Sequence, residues 1–181
     1  LGHNYRYIRS KIKPETKFMA VVKAYAYGSD SVAIAKHLQD LGVDYFAVAY
    51  VNEGITLREG GITAPILVLH PQKIHFKTLI EHRLEPSIYS KAILADFIAT
   101  AQELNILDYP IHLKFNTGLN RLGFSADELP EISVLIQQQQ VVKVIAILSH
   151  LAATEDSKET EFTNLQLHRF DAICQQADAL F

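Results

Sequence analysis

The chain has 181 residues, 49% of them hydrophobic and 20% charged, with only 8 Gly and 6 Pro, the composition of a packed globular protein and not of a disordered tail. Its 17 Lys and Arg against 20 Asp and Glu leave a formal charge of −3 and no long basic block, which argues against nucleic acid as a partner. One cysteine, Cys174, cannot make an internal disulfide, and no apolar run approaches the roughly 20 residues that span a bilayer, so the expectation is a cytoplasmic protein of a reducing compartment, without membrane contact or signal peptide.

Taken in chain order, a first helical pattern begins almost at Leu1. Six short apolar runs rich in β-branched and aromatic residues then predict strands at 18–22, 45–49, 65–69, 86–89, 111–115 and 144–148, with stretches of helical spacing between them. Val32, Ile34, Ala35 and Leu38 predict a helix that stops before Gly42, and Gly60 and Gly61 stop the next one. Ser90 stands where an N-cap is needed before the face Ile93, Leu94, Phe97, Ile98 and Ala101, and Ser125 does the same for a helix whose glutamine run at 137–140 reads as a solvated terminus. From Thr160 onward Phe162, Leu165, Leu167, Phe170 and Ile173 predict a last helix, with Cys174 expected there as a buried small hydrophobe.

A βα unit recurring about every 25 residues fits a doubly wound sheet or a (β/α)8 barrel, and a closed eight-unit barrel takes about 250 residues. The fold expected is therefore α/β with about six βα units, either doubly wound or a TIM-type (β/α)8 barrel that is incomplete in this chain, a choice that the resemblance below settles for the barrel. Residues 1–181 read as one partial domain, cut at both ends, with no linker dividing it.

In parallel α/β architectures the chemistry gathers where strands end and loops begin. The first run ends in Lys23, followed by Ala24-Tyr25-Ala26-Tyr27-Gly28. An ammonium is costly to bury there, and the same desolvation makes the neutral amine a competent nucleophile of the Schiff-base type. A lysine that snorkels from the strand end to water is the competing reading. The fifth run contains Lys114 and leads into Asn116-Thr117-Gly118-Leu119-Asn120-Arg121-Leu122-Gly123-Phe124, where a guanidinium fork on a glycine-bearing loop suits a carboxylate, phosphate or phenolate, or else caps a helix. The sixth run ends in Ser149-His150, an imidazole able to stack on or hydrogen-bond an aromatic ligand, and also readable as a satisfied strand-end histidine. His70, with Pro71 after it, is explained by a proline turn. No nucleotide phosphate loop, metal-ligand spacing or serine elbow competes with these residues.

Together, Val21-Val22-Lys23-Ala24-Tyr25-Ala26-Tyr27-Gly28, the stretch from Lys114 to Phe124, and Ser149-His150-Leu151-Ala152 resemble the signature of alanine racemase, in order along the chain. The opening Leu1-Gly2-His3-Asn4-Tyr5 is also similar to the first barrel helix of that family. The resemblance implies a pyridoxal 5'-phosphate barrel joined to a C-terminal β domain, acting on a small amino acid as a homodimer. It implies that Lys23 holds the cofactor and serves as one of two catalytic bases, that Tyr27 touches the cofactor phosphate, and that Leu69 lines the cofactor. Arg121 would lie near the phenolic oxygen and the substrate carboxylate, His150 would stack over the pyridine ring, and Lys114, carbamylated in some members, would help to place the arginine.

Three departures stand out: Tyr25 replaces the usual Asn or Asp, Asn116 replaces the usual Asp before Thr-Gly, and nothing follows Phe181. The family's second base, a tyrosine of the partner subunit's C-terminal domain, is thus expected to be absent, leaving this fragment alone inactive. The sequence also resembles, in flavour, racemases fused behind a cell-wall Mur ligase. Three other readings are a racemase of another small amino acid such as serine, a single-domain pyridoxal-phosphate protein of the same barrel superfamily without robust catalysis, and a plain structural module.

Overall fold

The computed structural model describes all residues from Leu1 to Phe181, which form two compact units, Leu1–Pro86 and Ser87–Phe181. Six strands follow one another in the order β1-β2-β3-β4-β5-β6, every neighbouring pair parallel, with the unit boundary falling inside β4. This is the βα repeat of a TIM-type barrel with six strands present, the repeat being that of the run spacing and the barrel that of the resemblance.

The first unit opens with α1 (Gly2–Arg9), then β1 (Met19–Val21), α2 (Lys23–Gly28), α3 (Ser31–Asp40), β2 (Tyr45–Val48), α4 (Val51–Glu59), β3 (Ile66–Val68), α5 (Phe76–Glu81) and β4 (Glu85–Ile88), of which Glu85 and Pro86 belong to this unit. The register sets Ala20 beside Phe46, Phe46 beside Ile66 and Leu67 beside Glu85. Phe46, Leu57, Ile66, Leu67, Phe76, Leu79 and Leu84 form a fully buried core in which β2 and β3 are covered on both faces, whereas Met19 and Val21 of β1 are exposed. Helix α3 starts because the Asp30 carboxylate accepts the Val32 and Ala33 N–H groups, and it stops before Gly42, whose φ of +87° suits only glycine.

The second unit holds Ser87 and Ile88 of β4, α6 (Lys91–Glu103), β5 (Tyr109–Lys114), α7 (Leu129–Gln139), β6 (Val142–Leu148) and α8 (Thr160–Asp178). Ser90 Oγ accepts the Ile93 N–H at 3.3 Å to start α6, whose Leu94, Phe97, Ile98 and Ala101 are buried. Ser125 and Glu128 form a reciprocal cap ahead of α7, and the glutamine run ends that helix at Gln139 with a left-handed Gln140.

Two expectations are corrected, and one unannounced element is added. Strand ends shift by one or more residues: β1 stops at Val21, β4 starts at Glu85, and β5 and β6 begin at Tyr109 and Val142, because backbone pairing includes polar positions that hydropathy leaves out. The stretch after Lys23 is α2, a left-handed turn that no helical period announces. Cys174 is half-exposed, because Ile173 and Ala177 take the inward positions of α8 and Cys174 lies one step round the helix. Its thiol is pushed up by burial and by the carboxylates of Asp171 and Asp178. No helix is long and apolar enough to cross a membrane.

Where the strands begin, the Tyr45 hydroxyl donates to Glu85 Oε2 at 3.0 Å. Burial, then the Glu85 charge and this hydrogen bond, raise the phenol above its ordinary value of 10.0. Tyrosine therefore holds its proton more tightly in the folded chain, so the stabilisation is complete below the ordinary phenol value and is lost as pH rises above it. Tyr45→Phe should flatten the alkaline limb of a melting temperature against pH curve, whereas an unchanged slope above pH 10 would rule this coupling out.

Candidate functional site

Lys23 stands at the carboxyl end of β1, half-buried, directly after the buried Val22. Val22 N–H is anchored on the Ala47 carbonyl of β2 at 2.9 Å, so the lysine's start point is tied to the sheet. From there Ala24, Tyr25, Ala26 and Tyr27 all adopt left-handed backbone angles, with φ from 49° to 60°. Each L-residue costs roughly 1–2 kcal/mol in that region, and none of the four is glycine. The turn is closed by Ala26 N–H donating to the Val22 carbonyl (3.1 Å) and Ser29 N–H to that of Tyr25 (2.6 Å). A strained turn of this kind is worth reading as functional because it persists only where its surroundings enforce it.

Tyr27 ends the left-handed run with 70% of its surface exposed, and Tyr25 is 78% exposed, so neither aromatic ring packs into the core. Beside the turn a cleft of about 170 Å³ is lined by Tyr25, Asn52, Glu53 and Thr56 among others. At the end of β3 the half-exposed Leu69 donates its N–H to the Val48 carbonyl (2.9 Å), and the His70 ring sits against Tyr50 with centroids 6.2 Å apart. A larger hollow of about 500 Å³ lies where the strands of this unit begin, lined by Arg58 and Glu85. Arg58 is already engaged there by the carbonyls of Ile62, Ala64, His82 and Arg83, which makes this a structural tie and not a ligand cradle.

In the second unit Lys114 is the buried last residue of β5, 4% exposed. The 116–124 loop leaves from it and returns to it: Asn116 N–H donates to the Phe124 carbonyl (2.9 Å), and Phe124 N–H to that of Lys114 (2.8 Å). Gly123 closes the neck with φ +140°, and a Cβ there would meet Asn116 N at 2.6 Å, so only glycine fits. Asn116 Oδ1 accepts the Gly118 and Asn120 N–H groups, and its Nδ2 donates to Asn120 Oδ1 at 2.9 Å. Its carboxamide thus fills two acceptor roles and one donor role, of which an aspartate could fill only the acceptor ones. Arg121 is presented on this loop, exposed to solvent and not capping any helix.

His150 follows β6 and is likewise exposed. Its backbone is held by a polar cluster that sequence reasoning misses. Gln166 of α8 is fully buried; its Nε2 donates to Thr117 Oγ1 (3.2 Å) and to the His150 carbonyl (3.1 Å), while its Oε1 accepts the Ala152 N–H (2.9 Å). Ser149 Oγ donates to the Phe115 carbonyl and lies 2.8 Å from Thr117 Oγ1, and Arg169 donates to the Thr117 carbonyl. One glutamine therefore pins the loops after β5 and β6, those that carry Arg121 and His150. Nothing in a helical glutamine 49 residues from Thr117 announces this role. Glu53 is missed as well; its position three residues after Tyr50 signals a helix cap, but not its second contact, described below.

So the structure brings Lys23 and Tyr27 together on one turn and sets Lys114, the Arg121 loop and His150 around the paired ends of β5 and β6. Each stands at or beyond the carboxyl end of a strand, the end where barrel enzymes keep their chemistry.

A family profile described as alanine racemase, N-terminal domain, matches residues 1–180. The chain is 34% identical over 183 residues to an alanine racemase of Geobacter sp. (strain M21), covering 98% of this chain and 48% of that one. It is 38% identical over 160 residues to one from Synechocystis sp., covering 86% and 42%. The solved alanine racemase of Clostridium difficile 630 shares its fold with a TM-score of 0.91 at 28% identity, over 97% of this chain and 46% of that one. The alanine racemase from Bartonella henselae, solved with covalently bound pyridoxal phosphate, gives a TM-score of 0.84 at 29% identity over 97% and 51%. The chain spans about half the length of the curated relatives it matches.

Replacing Gln166 by Ala would remove the partner of the part-buried Ala152 N–H and one acceptor contact each at the His150 carbonyl and Thr117 Oγ1, the latter keeping Ser149, and an unsatisfied buried partner costs about 1–3 kcal/mol. Urea unfolding of Gln166→Ala should show a loss of about 2–3 kcal/mol. A loss under about 0.5 kcal/mol, the range of a surface change, would dissolve the hub.

Proposed function

The chain belongs to the alanine racemase N-terminal domain family, and from that membership and the geometry of its strand ends we propose that it is the cofactor-binding part of a pyridoxal-phosphate-dependent racemase that interconverts L- and D-alanine. The observation that carries the reading is Lys23, an amine at the carboxyl end of β1, at the head of a strained turn that also presents Tyr27. The donor set suits the cofactor: an amine for its aldehyde, a phenol and a guanidinium for its phosphate and phenolic oxygens, and an imidazole for its ring. Bound pyridoxal phosphate supplies an electron sink that acidifies the Cα proton of an amino acid attached through its nitrogen.

In this reading Lys23 Nζ would hold the cofactor and would serve as a base that removes or returns the Cα proton on one face. Tyr27 donates its hydroxyl to the phosphate. Arg121 orients the substrate carboxylate through its fork and faces the phenolic oxygen, and a planar guanidinium does this with two donors at fixed spacing. Lys114, at the foot of the Arg121 loop, would help to place that arginine, Leu69 would line the cofactor, and His150 would stack on its ring. The second base, acting on the opposite face, would be a tyrosine from a C-terminal β domain of the partner subunit in a homodimer, so that one group takes a proton while the other gives one and the centre inverts. A product of this kind, D-alanine, would serve peptidoglycan synthesis in the cytoplasm.

In the natural full-length chain, Lys23→Ala should abolish racemisation in a coupled D-alanine assay while circular dichroism stays unchanged. Turnover within a few fold of the parent would sink the assignment.

A further inference from the structure

We propose that Glu53 is a positioning residue for Lys23: its carboxylate ties the left-handed turn that starts at the lysine to the amino end of α4. The proposal rests on the reading of Lys23 just given and adds the group that sets that lysine's place. Glu53 Oε1 accepts the Ala24 N–H at 2.7 Å, across 29 residues of sequence. Its other oxygen accepts the Ala49 N–H at 2.7 Å and the Tyr50 N–H at 3.1 Å.

The second set of bonds is ordinary. Glu53 is the third residue of α4 reaching back to the N-cap backbone, while its own N–H donates to the Tyr50 carbonyl at 3.2 Å. A helix cap needs only one carboxylate oxygen, so capping leaves the bond to Ala24 unexplained. That bond falls where the chain needs it. Helix-like turn α2 has no buried residue, so side-chain burial does not hold it, and its four left-handed residues would relax toward commoner backbone angles if released. On one side the turn is anchored through Val22 N–H on β2, and on the other through Ala24 N–H on Glu53, with Lys23 between the two anchors. Rotation of the backbone at Ala24 would swing the Lys23 side chain from its bearing, and misplacement of a reacting group by about 1 Å can cost on the order of a hundredfold in rate.

The chemistry of the acceptor makes the idea separable from helix capping. A carboxylate accepts on both oxygens; a carboxamide accepts on one and donates from the other end. Because two N–H groups sit on the α4 side and one on the turn side, Glu53→Gln keeps its oxygen toward Ala49 and Tyr50 and turns its NH2 against the Ala24 N–H. The cap survives and the tie is lost. Glu53→Asp, one methylene shorter, still serves as a cap but no longer spans to Ala24, so it gives the same selective loss should the glutamine variant fold poorly.

Two readouts test this in the natural full-length chain: backbone hydrogen exchange by mass spectrometry in peptides covering the turn and the start of α4, and the rate at which added pyridoxal phosphate is captured by Lys23, followed by absorbance. For Glu53→Gln, exchange in the turn should accelerate by about tenfold or more, the loss expected of a hydrogen bond to a charged group. Exchange at the start of α4 should stay near the parent's, and capture should slow by about tenfold. Exchange in the turn at the parent's rate overturns the tie. Faster exchange with capture at the parent's rate overturns the positioning role, leaving Glu53 a structural residue. Should the parent chain itself capture no cofactor on Lys23, the proposed function fails, and the positioning role falls with it.

Discussion

The constraint on which the rest depends is a backbone one: four consecutive non-glycine residues after Lys23 are held in the left-handed region. At roughly 1–2 kcal/mol each, this is a local cost of several kcal/mol that no buried side chain of the turn offsets. It is met by two anchors outside the turn, parallel pairing at Val22 and a carboxylate at Ala24, and by the turn's own closing bond from Ser29 to Tyr25. Such strain persists at one strand end, beside a half-buried lysine, only because the surrounding contacts enforce it.

The same logic, with different chemistry, operates after β5 and β6. There the loop that carries Arg121 is held at its neck by two backbone hydrogen bonds and by a glycine that no side chain can replace, and its interior by the Asn116 side chain. The loop after β6 is held by the buried Gln166 amide, which uses both ends of its carboxamide. In both units a polar side chain from a later helix, Glu53 of α4 or Gln166 of α8, holds the backbone of a strand-end loop from which the exposed groups Tyr27, Arg121 and His150 project. Exposure of those side chains and rigidity of their attachment are compatible because the holding contacts are made to the backbone.

How much of this was legible in the sequence depends on the range of the interaction. The six βα units, the caps at Ser90 and Ser125 and the stops at Gly42 and Gly61 are written in short-range patterns, and they appear where those patterns place them. Lys23, Lys114, Arg121 and His150 could be picked out because each follows or ends an apolar run and because their neighbours resemble a family signature. What escaped was set by distant partners. Ala-Tyr-Ala-Tyr has no residue that favours a positive φ, so the left-handed turn is imposed by contacts and not by propensity. Glu53 looks like a cap and Gln166 like a helix surface residue until the chain brings Ala24 and Thr117 to them. Cys174 was placed fully inside by its type, whereas the register of α8 leaves it half-exposed.

The central claim is that Lys23, and no other amine of this chain, receives the cofactor. The most direct measurement is to incubate the protein with pyridoxal phosphate, reduce with borohydride so that the linkage becomes permanent, and locate the added mass by peptide mapping. The account predicts a single labelled site at Lys23. Mass on another amine such as Lys114 with Lys23 unmodified, or none on the full-length chain, would contradict it.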